Sequence, residues 1–470
     1  MDEAKGEQQL YWAETLAILY IIAPLFIFFA FFVRLEIAIP AGAFIAYIVY
    51  ELLRRTSWSR VHILRWQSLY FFFIALLWVG LSSGIGGIAQ NSDWSKHNMI
   101  VLFLSQHSWP PSERFTHFGD LALRYYIGWH LIPSATLKVI HSQLPTLATW
   151  AWSALGVFIF FNFLPNLVGS RAAAIAAPLV FIAFGGMDIV GTSITQYSGG
   201  PDYHFEWWAG WAQFSSNTAA LFWSPQQAIP AWTVVAILMR SRHECRLLPY
   251  LVLLMAATLL WSPFITIGLA PFLLALAIRH DFRQVVFGWR AIVSVFLLAV
   301  PIGLYLTAGF GSIPHGYIAT DPCTAGAICF SWPSYILFLL LEIGAPLAIL
   351  FLRNEQEQGF LIAAALTLCL VPLYRIGLLN DFAMRASLPA LAVLAILCAK
   401  LIASPKPYPT AALLVLLAAA PSVLPELARG FLQEEINISS ADIANTAENR
   451  KWWIDQSFAP KPIWILRHGK

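Results

Sequence analysis

A short polar segment that directly follows an apolar stretch contains the residues best suited to chemistry, Asn91-Ser92-Asp93-Trp94-Ser95-Lys96-His97-Asn98. Asp93 and His97 are four residues apart, so a helix beginning near Asp93 would place both on one face. Burial and neighbouring charges can set the proton affinity of a carboxylate at such a boundary, and a positioned carboxylate can take a proton from a hydroxyl group. Asp93 is therefore the candidate catalytic residue, with Lys96 and His97 as binding candidates. The alternative is that Asp93 or Ser92 caps a helix.

A second polar region begins near Asp188 and is rich in aromatic, amide and acidic side chains. Asp202, His204 and Glu206 alternate along the chain, so an extended backbone would place them on one side. Carboxylate and imidazole groups suit divalent metals, but nothing in the pattern fixes a metal, and solvated loop charges are the alternative. The aromatic faces suit sugar rings, or they form an interfacial belt. All four residues are predicted to bind substrate.

A third candidate site is the segment 374–389, in which Arg375 and Arg385 flank a short turn. Asp381 and Arg385 are four apart and are expected to pair on a helix. A guanidinium also matches the oxygens of a phosphate group. Both interpretations are compatible, because Asp381 can orient Arg385 toward a lipid-linked phosphate.

The elements that must position these residues are membrane helices. The chain has 470 residues, of which 59% are hydrophobic and only 11% charged, and its mean hydropathy is +0.67. Soluble proteins contain roughly a quarter charged residues, and a membrane span needs about 20 apolar ones. We predict an all-α, polytopic transmembrane helical bundle of about 13 spans. The segments are 11–33, 36–53, 66–88, 146–165, 172–190, 226–239, 247–261, 264–279, 286–308, 334–352, 359–374, 386–402 and 409–424.

Basic residues predict the orientation of these spans. Arg54, Arg55, Arg240, Arg242 and Arg246 fall in loops on the side of the N-terminus, which places the N-terminus in the cytoplasm and the C-terminus outside. The external regions are then 89–145, 191–225, 309–333, 375–384 and the tail. The chain divides into a transmembrane domain, 1–424, and a short external tail, 425–470.

This orientation requires that 121–141 does not cross the membrane. Arg124, His130 and Lys138 would be costly in lipid, whereas the aromatic residues of the segment suit the interface. We predict a juxtamembrane helix in the first large external loop, with Arg124 as a further binding candidate. In a later external loop, Cys323 and Cys329 either form a disulfide or remain free thiols.

The layout and four short strings resemble the C-type (GT-C) membrane glycosyltransferases. The strings begin at Asp93, at Arg124, at Gly186 and at Asn380, and read Asp-Trp-Ser-Lys-His-Asn, Arg-Tyr-Tyr-Ile-Gly-Trp-His-Leu-Ile-Pro, Gly-Met-Asp and Asn-Asp-Phe-Ala-Met-Arg. The resemblance implies a polyprenyl-phosphate-linked sugar donor, a glycan, lipid or protein acceptor, and inverting transfer on the outer face of a bacterial inner membrane. It also implies Asp93 as the base and Arg385 as the phosphate partner. Metal dependence is left open.

Three other functions remain open. A transporter or flippase of a lipid-linked saccharide would carry charges within its spans, where Glu342 is the notable acid. The second is an O-antigen ligase or polymerase-like enzyme. The third is a structural membrane subunit. No nucleotide-binding or nucleophile-elbow motif is present in the sequence, and nothing in it indicates nucleic-acid binding. If the chain is a transferase, we expect Asp93, Asp188 and Arg385 to border one cavity.

Overall fold

The computed structural model is mostly helical, with 77% helix and 5% strand. It describes residues 9–57, 66–83, 85, 88–115, 119–142, 144–169, 171–199, 204–308, 313–320, 330–353, 357–377, 379–402, 409–432, 457–461 and 463–467. Asp202, Cys323 and Cys329 lie outside the described residues, so the predicted role of Asp202 and the disulfide stay predictions.

Eight helices in the described part of the chain are long and apolar enough to cross a membrane. They are Trp12–Phe32, Leu35–Arg55, Pro145–Val168, Ala174–Thr195, Phe282–Thr307, Trp332–Leu352, Asp381–Ile402 and Pro409–Leu432. Shorter apolar helices cover Trp66–Gly80, Cys245–Trp261, Pro263–Arg279 and Gln358–Leu373. The prediction of a helical membrane protein is confirmed, whereas the number of crossings stays a prediction.

The helix Pro225–Ser241 lies at the centre of the structure. All but one of its residues are buried, and it packs against Pro145–Phe161, Pro263–Arg279 and Leu388–Ile402. Gly156 makes one of these approaches close, because a Cβ atom there would lie 2.5 Å from Cγ2 of Ile229 in the central helix, and also 2.5 Å from the hydroxyl oxygen of Tyr20. Small residues at such contacts let membrane helices approach closely.

Several of the eight long helices are interrupted within their apolar runs. Helix Arg171–Ala183 is followed by a break, and the chain resumes as helix Asp188–Thr195. Wide π turns occupy Val295–Ala299 and Leu340–Gly344. The break and the second π turn are joined, because the N–H of Met187 donates to the carbonyl of Leu341 at 3.1 Å. A backbone donor freed by the break is thus satisfied inside the protein, as an apolar environment requires.

The first large loop contains both helix and strand. Helices Asp93–Gln106 and Gly128–Ile140 pack together, and between them β1 (Ser112–Phe115) pairs antiparallel with β2 (Gly119–Leu123). The segment 121–141 was predicted as one surface helix. Instead, its first residues form strand β2, and its helix buries Trp129, His130 and Leu131.

Two small sheets depart from the all-α prediction. β2 also pairs with β5 (Phe458–Pro460) near the C-terminus, and β3 (His315–Tyr317) pairs with β4 (Tyr374–Ile376). The described part of the tail is therefore attached to the first loop. The helix that precedes the tail continues to Leu432, beyond the boundary predicted at 424.

Candidate functional site

The helix that carries Asp93 is anchored at its first turn. The side chain of Asn91 accepts from the N–H of Asp93 at 3.1 Å and donates to the carbonyl of Phe222 at 2.8 Å. The indole of Trp94 donates to the same carbonyl at 2.8 Å. Asn91, rather than Asp93 or Ser92, supplies the side-chain acceptor at this helix start. Asp93 is half-buried, and its carboxylate makes no hydrogen bond or ion pair among the described residues.

The residues around Asp93 include an arginine from a distant part of the chain. Arg385 lies within electrostatic range of Asp93, Tyr125 and Tyr126. Lys96 completes the group, because its Nζ atom lies 4.7 Å from the ring centroid of Tyr125. We call these five residues the Asp93 cluster. It brings together two cations, one carboxylate and two phenol groups.

The two tyrosines of the Asp93 cluster are stacked, with ring centroids 4.0 Å apart. Burial raises the pKa of Tyr125 above its ordinary value, and the charge of Arg385 acts to lower it. Burial also raises the pKa of Tyr126, whose hydroxyl accepts from Nε2 of Gln227 at 3.2 Å. Both phenols therefore stay protonated at neutral pH and remain available as hydrogen-bond donors.

Arg385 is held by a short helix, Asp381–Ala386, that begins at Asn380. Its Nη2 atom donates to Oδ1 of Asp381 at 3.2 Å, as the spacing predicted. Gly377 permits this arrangement, since it has a φ of +89° and a Cβ atom there would lie 2.3 Å from Oδ2 of Asp381. Nε of Arg385 is buried and has no hydrogen-bond partner among the described residues. The guanidinium is thus oriented by Asp381 through Nη2, while Nε has a donor that is not used by these residues.

His97 belongs to the protein interior. Its Nε2 atom lies 3.2 Å from the carbonyl of Trp223, and its Nδ1 atom lies 3.3 Å from Nε2 of His130. Since a carbonyl only accepts, Nε2 of His97 carries the proton, and Nδ1 accepts from His130. Burial lowers the pKa of His97 to about 3. The ring is neutral and joins two helices.

The two other arginines named from the sequence lie elsewhere. The N–H of Arg124 donates to the carbonyl of Ser457 at 2.7 Å, and its Nη1 atom lies 3.5 Å from the carbonyl of Leu306. This side chain therefore faces helix Val300–Thr307. Arg375 lies in strand β4, opposite Gly316.

A second network of buried charges, which we call the acid cluster, contacts both ends of helix Asn217–Trp223. Its six members are Asp188, His204, Glu206, Glu342, Glu426 and Arg429. The described contacts of Asp188 are within this cluster and with Ser422. They do not include Asp93 or Arg385, and the expectation that these three residues border one cavity stays a prediction.

His204 connects two carboxyl groups of the acid cluster. Its Nδ1 atom donates to Oε1 of Glu426 at 2.7 Å, and its Nε2 atom donates to Oε1 of Gln213 at 3.0 Å. Gln213 in turn donates to Oε2 of Glu206 at 3.0 Å. Burial alone would lower the pKa of His204, but the hydrogen bond and charge of Glu426 raise it to about 9. Burial, followed by the charge of Asp188, raises the pKa of Glu206 to about 8.

Trp223 joins the acid cluster to the helix that carries Asp93. Its carbonyl accepts from His97, and its indole donates to Oε2 of Glu426 at 3.0 Å. The guanidinium of Arg429 lies 4.8 Å from the indole ring and donates to Glu426 at 2.8 Å. Glu426 and Arg429 are not predicted as site residues from the sequence. The only sequence signal was a charged pair, three residues apart, at the end of an apolar segment.

In the described part of the chain, no group of three or more His, Cys, Asp or Glu side chains is arranged to hold a metal ion. No protein-family model, curated protein or solved structure matches this chain.

Proposed function

We propose that the protein is an integral membrane glycosyltransferase that transfers a sugar from a polyprenyl-phosphate-linked donor to an acceptor on the outer face of the membrane. One observation supports this most strongly. The carboxylate of Asp93, without a partner among the described residues, lies within electrostatic range of the guanidinium of Arg385, whose side chain is 13% exposed. Glycosyl transfer needs both a group that removes a proton and a group that stabilises a departing phosphate.

The proposed reaction assigns one task to each member of the Asp93 cluster. Asp93 takes the proton of the acceptor hydroxyl while the hydroxyl oxygen attacks the anomeric carbon of the sugar. The bond between that carbon and the phosphate oxygen breaks, and the polyprenyl phosphate leaves with the electron pair. Arg385 and Lys96 neutralise the charge that develops on the phosphate. The hydroxyl groups of Tyr125 and Tyr126 donate to phosphate or sugar oxygens.

The proposed topology is 13 spans with a cytoplasmic N-terminus, in a bacterial inner membrane. Ion pairs at the end of the bundle opposite the Asp93 cluster support this orientation. Arg246 pairs with Glu14 at 3.1 Å, Arg290 pairs with Glu51 at 2.9 Å, and Arg242 pairs with Glu357. Basic residues gathered at one end of the bundle are typical of a cytoplasmic face. The helices Asp93–Gln106 and Gly128–Ile140 would then be the juxtamembrane helices of the external loop.

A second candidate function, transport of a lipid-linked saccharide, is supported by a different observation. Asp188, Glu342 and Glu426 are buried acids within helices long enough to span a membrane. Ionisable residues in such positions are typical of ion and substrate pathways.

The two candidates separate in one experiment. The purified protein is reconstituted into liposomes that contain a polyprenyl-phosphate sugar labelled in the sugar, together with a mixture of glycan, lipid and protein acceptors. A transferase converts the donor into polyprenyl phosphate and a new labelled glycoside, detected by mass spectrometry. Movement of intact donor between leaflets with no new glycoside would reject transfer and support transport.

A further inference from the structure

The acid cluster has more buried carboxyl groups than cations. Asp188, Glu206, Glu342 and Glu426 are between 0% and 2% exposed, and among the described residues only His204 and Arg429 oppose them with positive charge. Unpaired carboxylates are very costly in a buried environment. If all four were ionised, the cluster would carry a net charge of about −2. Neutrality requires that two of the carboxyl groups keep a proton.

Contacts show which carboxyl group is ionised. Glu426 accepts from His204 at 2.7 Å, from Arg429 at 2.8 Å and from the indole of Trp223 at 3.0 Å. Three donors, two of them cationic, stabilise a carboxylate strongly. Glu426 thus carries the negative charge that faces His204 and Arg429.

Asp188 and Glu342 are in a different situation. Neither side-chain oxygen of Asp188 has a hydrogen-bond donor in good geometry among the described residues, and the same holds for Oε2 of Glu342. Oε1 of Glu342 accepts from the indole of Trp208 at 2.8 Å. The two carboxyl groups lie side by side within hydrogen-bonding range. Two ionised carboxylates can only accept hydrogen bonds. They can therefore bond to each other only if one of them carries a proton.

The backbone is shaped to allow this contact. A Cβ atom at Gly186 would lie 2.0 Å from Oε2 of Glu342, so the bare glycine makes room for the carboxyl group. Glu342 itself lies in the π turn Leu340–Gly344, and such turns within helices are frequent at functional sites. The bond from Met187 to Leu341 holds the break and the π turn together. Asp188 follows the break directly.

We propose that Asp188 and Glu342 form a proton-binding site that holds one shared proton between two membrane helices. Loss of this proton would leave two carboxylates facing each other and would separate the break at 185–187 from the π turn. Among the described residues, the charged and titratable groups that face the pair are His204 and Glu206, and Glu426 lies behind His204. This inference is independent of whether the protein transfers or transports a sugar.

Infrared spectroscopy of the full-length protein in lipid nanodiscs tests the proposal, because a protonated carboxylic acid has a carbonyl-stretch band that a carboxylate lacks. All spectra are recorded in a Glu206→Gln background, because Glu206 is the other carboxyl group of the acid cluster that holds a proton at neutral pH. In this background we expect a band at neutral pH that is lost on Asp188→Asn and on Glu342→Gln. In either variant an amide N–H can bond the remaining carboxylate, so no proton has to be held. The band must persist in the control Glu36→Gln, which alters an exposed acid. Its presence in both pair variants, or its absence from the Glu206→Gln parent, would overturn the proposal.

A second variant keeps the test decisive if the pair variants do not fold. Gly186→Ala removes no titratable group but displaces Glu342, so the band is expected to be lost or moved. Gly303→Ala is the matched control, because no atom lies within 4 Å of a Cβ atom at that position. An unchanged band in Gly186→Ala would contradict a shared proton. Loss of the parent's band on adding Na⁺ or Mg²⁺ at constant pH would show a metal-cation site instead, which would also overturn the proposal.

Discussion

Glu206 should make the protein less stable as the pH rises from 5 to 8. Burial raises its pKa from an ordinary 4.5 to about 8, so between these values the folded protein holds a proton that the unfolded chain has released. Its stabilising effect is complete below pH 4.5 and is lost as the pH rises toward 8. Each pH unit costs about 1.4 kcal/mol per proton, so about 4 kcal/mol is lost from pH 5 to pH 8.

The substitution Glu206→Gln removes this titration while leaving a carbonyl oxygen that can accept from the N–H of Ser216. The assay is unfolding by sodium dodecyl sulfate at several pH values, followed by tryptophan fluorescence. In this range the unfolding free energy of the variant should depend less steeply on pH, by the contribution of about one proton. Glu36→Gln, at an exposed acid, is the control. If Glu206→Gln retained the full pH dependence of the wild type, the reasoning about the acid cluster would be refuted.

Three further predictions concern other parts of the molecule. His204 has a raised pKa of about 9, so its stabilising effect is complete below pH 6.5 and lost as the pH rises through 9; His204→Gln should remove that dependence in the same unfolding assay. Arg385→Lys should reduce sugar transfer more than about tenfold in a turnover assay, because a lysine does not reproduce a guanidinium that is oriented at one edge. Gly156→Ala should destabilise the protein by about 1–3 kcal/mol, because the added methyl group would contact Tyr20. Gly42→Ala is the control and should not destabilise it, since no atom lies within 4 Å of a Cβ atom at Gly42. Equal unfolding free energies for the two variants would contradict the helix packing.

The helices could be predicted from the sequence because long apolar runs identify them directly. Every segment predicted as a span lies at least partly on a helix, and the Asp381–Arg385 pair follows from helical spacing. Where a short loop joins two membrane helices, the sequence also predicts that the two helices end near each other. These features depend on residues close together in the chain.

The remaining features depend on contacts between distant segments. Strand β5 pairs with β2 from the first loop, and short strands with distant partners leave little periodicity in the sequence. The sequence indicated Asp188, His204 and Glu206 but not their assembly with Glu342, Glu426 and Arg429, for a related reason. Glu342 and Glu426 are single acids in apolar segments, and nothing local shows that they lie near Asp188 or His204.

The most direct test of the central claim is the rate of sugar transfer by Asp93→Asn in liposomes that contain a polyprenyl-phosphate sugar donor. The substitution keeps the shape of the side chain and removes its charge. A general base contributes roughly 10²–10⁴-fold, so transfer should fall by about that factor while donor binding is retained. Asp120→Asn, which alters an exposed acid of the same loop, is the matched control and should transfer at the wild-type rate. Transfer by Asp93→Asn within a few-fold of wild type would contradict the role of Asp93 as the base.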